Sequence, residues 1–178
     1  MDNRSDREII HDMICLYAHA LDRRRWDIMP NLFHADGVFL FGDVSGDWES
    51  FIEQARIIID PMPSTHHQMG NILININGDT ALCESYLTAT HIIPADFPEG
   101  LPLPAFGRTY IATIGGRYVD RFEKRNGKWG IVSRTGLYDW RQYTEINDGD
   151  LRETLSGAVG QVDDSDPSTP VTKSWRGG

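Results

Sequence analysis

The chain has 178 residues, 40% of them apolar and 24% charged, with a formal net charge of −9. That length suits one domain with an appendage and is enough to bury a sizeable core. The acidic balance, with no basic run longer than Arg23-Arg24-Arg25, argues against nucleic acid and anionic membrane surfaces as partners.

Ser5 to Arg25 reads as an amphipathic helix. Ile9, Ile10, Met13, Ile14, Tyr17 and Leu21 form its apolar stripe, and Ser5 with Glu8 makes a capping box. A short helix follows over Trp26 to Phe33, then a strand from Gly37 to Phe41. Trp48 to Ile59 is a third helix, stopped by Asp60-Pro61-Met62-Pro63. Thr65 to Ile76 and Ala81 to Ile93 are strands joined by the hairpin signal Asn77-Gly78-Asp79. A tight turn would set His67 opposite Ser85 to Cys83. Pro94 to Pro104 is a proline-rich apolar loop. Arg108 to Glu123 is a long strand with a bulge expected at Gly115-Gly116, and Arg125-Asn126-Gly127-Lys128 turns it into a last strand, Trp129 to Trp140. Beyond Trp140 apolar periodicity fades; Glu145 to Leu155 could form a short helix, and the remainder reads as a tail. The order predicts an α+β fold with helices on one face of a bent, mostly antiparallel sheet that encloses a pocket. It divides into a cone domain over 1–140 and an extension over 141–178, partly disordered or packed on a neighbouring subunit.

Cys15 and Cys83 both lie in apolar surroundings and read as reduced core thiols. No start resembles a signal peptide and no apolar stretch approaches ~18 residues, so a cytoplasmic location is expected.

A few polar residues fall where chemistry could use them. Tyr17 lies on the buried stripe of the first helix, as a plain core aromatic or as a pocket hydroxyl. Asp22, near the end of that helix, is a surface charge beside Arg25 or a carboxylate turned inward to hold an imidazole. His66 and His67 are adjacent on a strand, so they point to opposite faces. One faces the helices, where a His beside a carboxylate would make a general base. His91 shares an apolar face with Cys83, Leu87 and Ala89, which suits a pocket mouth. Arg134, in an otherwise apolar strand, needs a partner: a substrate carboxylate or oxyanion, or Asp120 or Glu123 as a structural pair. No metal-ligand spacing, phosphate loop or nucleophile elbow is present, so no metal or cofactor is expected.

Three stretches resemble the SnoaL-like proteins of the nuclear transport factor 2-like superfamily. They are Leu16-Tyr17-Ala18 through Ala20-Leu21-Asp22-Arg23-Arg24 to Trp26-Asp27; Thr65 and His67 with Gly70-Asn71 and Asn77-Gly78-Asp79; and Gly116 through Glu123 with Asn126-Gly127-Lys128-Trp129. They occur in order over roughly residues 5 to 140. The resemblance implies a cone with a deep pocket, and is nearest the scytalone dehydratase, bile-acid 7α-dehydratase and hexachlorocyclohexane dehydrochlorinase type: cofactor-independent lyases, usually trimers. It implies Tyr17 and Asp22 as the first-helix polar pair, His67 as the base, His91 as a second pocket group, Arg134 as the closing-strand arginine and Phe39 as a pocket-lining aromatic. The Pro94–Pro104 loop and the tail have no counterpart in it.

The expected activity is therefore an elimination. Asp22 fixes the His67 tautomer, His67 removes a proton, Tyr17 or His91 assists the leaving hydroxyl, and Arg134 steadies an anionic substrate. Phe39, Leu87 and Tyr118 line the site for a small hydrophobic, ring-bearing hydroxy compound. Carbon–carbon cleavage releasing a small aldehyde would use the same residues. A non-catalytic small subunit or ligand-binding module of the same fold would need none of them.

Overall fold

The computed structural model describes residues 4–42, 44–147 and 159–175. Helix α1 spans Asp6–Asp22, and its capping box forms as the sequence predicts, Glu8 N–H donating to Ser5 Oγ and Ser5 N–H to Glu8 Oε2. Its stripe buries Ile10, Met13, Ile14, Tyr17 and Leu21. A 3-10 segment, Trp26–Asn31, contains Pro30 and takes the place of the expected second α-helix. Helix α2, Trp48–Ile59, has the expected limits and is capped by Asp47, whose carboxylate accepts from Ser50 N–H at 2.8 Å.

Six strands form one sheet: β1 Phe33–Phe41, β2 Val44–Asp47, β3 Ser64–Asn77, β4 Thr80–Ile93, β5 Tyr110–Arg125 and β6 Lys128–Glu145, in the order β2-β1-β6-β5-β4-β3. Among the described residues only the β1–β6 pair is parallel. The short edge strand β2 went unpredicted, since Val44-Ser45-Gly46-Asp47 carries almost no apolar pattern. The bulge at Gly115/Gly116 is present. Gly116 is required there because a Cβ would stand 2.3 Å from the Leu137 carbonyl oxygen. In the β5–β6 turn Asn126 and Gly127 both take positive φ, 52° and 79°, as a tight hairpin demands.

The β3–β4 register differs from the expected one. Asn77 pairs with Thr80, so Ile72 meets Ser85, and a shift between Met69 and Ile72 then sets His67 opposite Ala89. A two-residue loop holds the residue numbers of each pair at a nearly constant sum, which excludes Ser85 or Cys83 as partner to His67.

The main core lies between α1, α2 and the inner face of the sheet. A second cluster closes one end, where Phe97 and Leu103 of the proline-rich loop pack on Met62, Ala89, Ile93, Tyr110, Ala112 and Ile114. Cys83 is buried, but Cys15 is exposed on α1, which corrects its reading as a core thiol. Strand β6 runs on to Glu145, past the boundary expected at 140. The short helix expected over 145–155 falls mostly outside the described residues. Residues 159–175 pack on their own chain: Arg25 donates to Thr169 Oγ1 at 2.7 Å and pairs with Asp164 at 3.0 Å, and Asn31 donates to the Trp175 carbonyl. No helix among the described residues is long and apolar enough to cross a membrane.

Candidate active site

Helix α1 ends in a tight left-handed cap. Arg24 takes φ 52°, Arg25 N–H reaches back to the Ala20 carbonyl at 2.8 Å and Arg24 N–H to that of Leu21 at 3.3 Å. The Arg24 guanidinium then donates to the carbonyls of Ile59 and Met62, tying this corner to the end of α2. The corner fixes Asp22, the last residue of the helix, against the start of β3.

Asp22 is 8% exposed and is held by three donors from β3. Thr65 Oγ1 donates at 3.1 Å, His67 N–H at 2.8 Å, and His67 Nδ1 stands 2.7 Å from Oδ1. Burial pushes the carboxyl pKa up, but the His67 ring, the His67 backbone and the Thr65 hydroxyl outweigh it and hold it below the usual carboxylate range. An ionised carboxylate accepts only, so Nδ1 carries the hydrogen. In the neutral ring Nε2 is then left with the lone pair. Asp22 is thus not a surface charge, and His67, not His66, is the histidine on the helix-covered face. Thr65 was missed as part of this group. Its position two residues before His67, on the same face of the strand, was the available signal.

His91 stands beside the pair, its ring centroid 5.2 Å from that of His67 and nearly perpendicular to it. It is 7% exposed, and its Nδ1 is buried without a hydrogen-bond partner. Burial, with the neighbouring His67 charge, pushes its pKa down to about 3, so it is a neutral group across ordinary pH.

Tyr17 and Arg134 belong to a second cluster. Arg134 is fully buried and donates from Nε and Nη2 to both oxygens of Asp120, each at 2.7 Å. Its guanidinium lies 4.0 Å from the Tyr17 ring centroid and 4.5 Å from that of Tyr118. Of the alternatives open for Arg134, the Asp120 pair is the one formed. Burial raises the pKa of both phenols, so they remain protonated donors. Phe39 stacks on Phe51 at 3.5 Å in the main core, and Leu87 is half-buried on the inner face of β4. The sequence-predicted polar residues therefore fall into two groups, Asp22 with His67 and His91, and Tyr17 with Arg134 and Tyr118, while Phe39 and Leu87 belong to neither.

Two surface grooves are present. One, of about 450 Å³, is lined by Gln68, Tyr86, Leu87, Gly115, Gly116 and Trp140, so of the predicted residues it takes in Leu87; the other, of about 430 Å³, is lined by Glu53, Arg56, Ile57 and Asp60. Neither reaches the dyad, so the enclosed apolar pocket expected from the sequence is not one of them. Among the described residues no three His, Cys, Asp or Glu side chains are grouped so as to hold a metal ion.

A model of the SnoaL-like domain matches residues 2–135. An uncharacterized protein of Mycobacterium tuberculosis, Rv2910c, is 23% identical over 133 residues, covering 73% of this chain and 83% of the relative. Among solved structures, a type 2 hexachlorocyclohexane dehydrochlorinase superposes with a TM-score of 0.63 at 17% identity, covering 80% of this chain and 89% of the other. A scytalone dehydratase-like protein from Novosphingobium aromaticivorans gives 0.63 at 18% identity, with the same coverage. The Kfla4162 protein from Kribbella flavida gives 0.64 at 17%, covering 79% and 95%. At these identities the structural likeness establishes the fold.

Proposed function

The chain belongs to the SnoaL-like domain family, and from that premise we propose that it is a cofactor-independent lyase whose base is His67. The observation that carries this reading is the 2.7 Å contact between His67 Nδ1 and a buried, triply held Asp22. Asp22 sets the tautomer and stabilises the imidazolium that forms, and Nε2 removes a proton from a carbon of the substrate. The adjacent carbon–oxygen bond then breaks, its electrons leave with the hydroxyl, and the imidazolium returns the proton so that water departs. His91, neutral and unpartnered at Nδ1, offers a hydrogen bond beside the reacting centre. Two structural neighbours bear the names of elimination enzymes, which agrees with this chemistry.

The substrate class is a small hydrophobic, ring-bearing hydroxy compound. A homo-oligomer is supported by the apolar residues exposed on the outer face of the sheet, Leu73, Leu82, Tyr86, Val119 and Leu137; a trimer is the form that the resemblance favours.

The test is a screen of hydroxylated aromatic and alicyclic compounds, read by a new conjugated double bond in the ultraviolet and by release of aldehyde. His67→Ala and Asp22→Asn are assayed on any hit. Each is expected to lower kcat by about 10²–10⁴-fold. Turnover near wild type in both variants would end the dyad reading, and aldehyde in place of the diene would reassign the bond that breaks.

A further inference from the structure

Three arginines follow Asp22, and each is engaged by a different stretch of chain. Arg24 donates to the Ile59 and Met62 carbonyls at the end of α2. Its two neighbours turn to the C-terminal segment instead. Gly160 lies so close to Arg23 that a Cβ on it would stand 3.1 Å from Nη1. Arg25 is buried, donates to the Asp163 carbonyl and to Thr169 Oγ1, and stands 3.0 Å from Asp164. Among the described residues, the hydrogen bonds and ion pair of its guanidinium are all made to this segment, and its Nε is buried without a partner. The segment is shaped from within to receive it: Asp166 accepts from Gln161 N–H at 2.8 Å and Ser168 N–H at 2.9 Å.

The backbone of the same Arg25 closes the corner that carries Asp22. Its N–H donates to the Ala20 carbonyl at 2.8 Å, so Asp22 lies inside the loop from Ala20 to Arg25. A carboxylate on the last residue of a helix faces the negative end of the helix dipole, so its own helix does not favour it there. It is held from across by donors of β3 at 2.7–3.1 Å, and a displacement of ~1 Å takes such bonds out of range.

From this arrangement we propose that Arg25 is a positioning residue for the dyad: anchored in the C-terminal segment, its side chain fixes the backbone that closes the Ala20–Arg25 loop and so holds the Asp22 carboxylate against His67. Arg25 acts through Asp22 and not on a substrate. Without its acceptors in the segment, the guanidinium would be a stranded buried cation. It would swing out to water and draw the Arg25 N–H away from Ala20. The segment 159–175 is thereby part of the site. The consequence for catalysis rests on the lyase reading; the placing of Asp22 does not.

The experiment is NMR of the full chain with two readouts: the nitrogen-15 shifts of the neutral His67 ring, which give the share of Nδ1–H, and hydrogen exchange of the His67 amide, whose acceptor is Asp22. Arg25→Met should move the tautomer at least halfway to that of Asp22→Asn and quicken the amide at least about ten-fold. Arg25→Lys, which keeps the charge and a donor, should fall between wild type and Arg25→Met. Thr169→Val, acting from the segment's side, should shift both readouts in the same direction by less, and it carries the test if Arg25→Met fails to fold. Asn31→Ala frees the Trp175 end of the segment and leaves the corner alone, so it should change neither. An Arg25→Met or Thr169→Val chain with a lower Tm but a wild-type ring and amide would overturn the proposal, as would an Asn31→Ala effect equal to that of Arg25→Met. The expected shifts in a chain that shows no lyase activity would uphold the positioning role and end only the lyase reading.

Discussion

Replacing Asp120 by Asn removes the charge that balances Arg134 and leaves every other contact of the guanidinium in place. Both side chains are fully buried, so the arginine gains no water in exchange. Breaking a buried pair from one side typically costs about 3–5 kcal/mol, because a charge is stranded in a low-dielectric interior. For a chain of this size each kcal/mol moves Tm by about 2–4 °C, so Asp120→Asn should melt roughly 6–20 °C below wild type. The double variant Asp120→Leu with Arg134→Met removes both charges. It forfeits the contacts of the guanidinium with Tyr17 and Tyr118, worth about 0.5–2 kcal/mol each, but strands nothing. It should therefore recover at least half of the single variant's loss. Urea unfolding of the three proteins at one protein concentration, followed by tryptophan fluorescence, gives the comparison. A loss below about 1 kcal/mol in Asp120→Asn, or a double variant no better than the single, would refute the reasoning that Arg134 is a desolvated cation held by one carboxylate.

Further predictions follow from burial and packing. His91 has a pKa of about 3 in the folded chain against an ordinary 6.5, so below pH 6.5 the unfolded chain takes up its proton first. Stability should be fully present above about pH 6.5 and decline toward pH 3, by at most ~1.4 kcal/mol per pH unit. His91→Gln should flatten that slope in urea midpoints taken between pH 7 and 4.5. Asp22 has the opposite charge type: its stabilisation is present above its ordinary value of 3.8 and is lost as pH falls further, so acid sensitivity below that point should persist in His91→Gln. Gly116→Ala drives a methyl to 2.3 Å from the Leu137 carbonyl oxygen and should cost about 1–3 kcal/mol in the same assay. Arg25→Met releases the contacts to Thr169 and Asp164. Amide exchange at Thr169 and Val171 should then quicken at least about ten-fold, with the amides of β4 and β5 unchanged.

Much of the fold was legible because its signals are local. Ser5 and Glu8 announce the start of α1, Asn77-Gly78 and Asn126-Gly127 announce hairpins, and Gly115-Gly116 announces the bulge. Strand β2 was not: it is a short edge strand whose residues Ser45, Gly46 and Asp47 are exposed, and such a strand needs no apolar alternation. Nor was the exposure of Cys15, which sits between Ile14 and Leu16 but one helical step outside the stripe. In the site, alternation along β4 set His91 on the apolar face it occupies, and along β3 it required only that one of His66 and His67 face inward; the resemblance, not the alternation, chose His67. Alternation could not place Asp22, whose direction depends on the left-handed cap at Arg24, nor choose between Asp120 and Glu123 for Arg134, which the β5–β6 register decides by pairing Asp120 with Arg134.

Nitrogen-15 NMR of the neutral His67 ring, followed up in pH until the ring has lost its charge, bears most directly on its assignment as the base. A lone imidazole favours hydrogen on Nε2, whereas the Asp22 carboxylate should hold it on Nδ1, giving a protonated Nδ1 and a bare Nε2 in wild type and a loss of that preference in Asp22→Asn. A neutral ring protonated at Nε2 in wild type would turn its lone pair toward Asp22 and leave none on the nitrogen that must take the substrate proton, and would contradict the account.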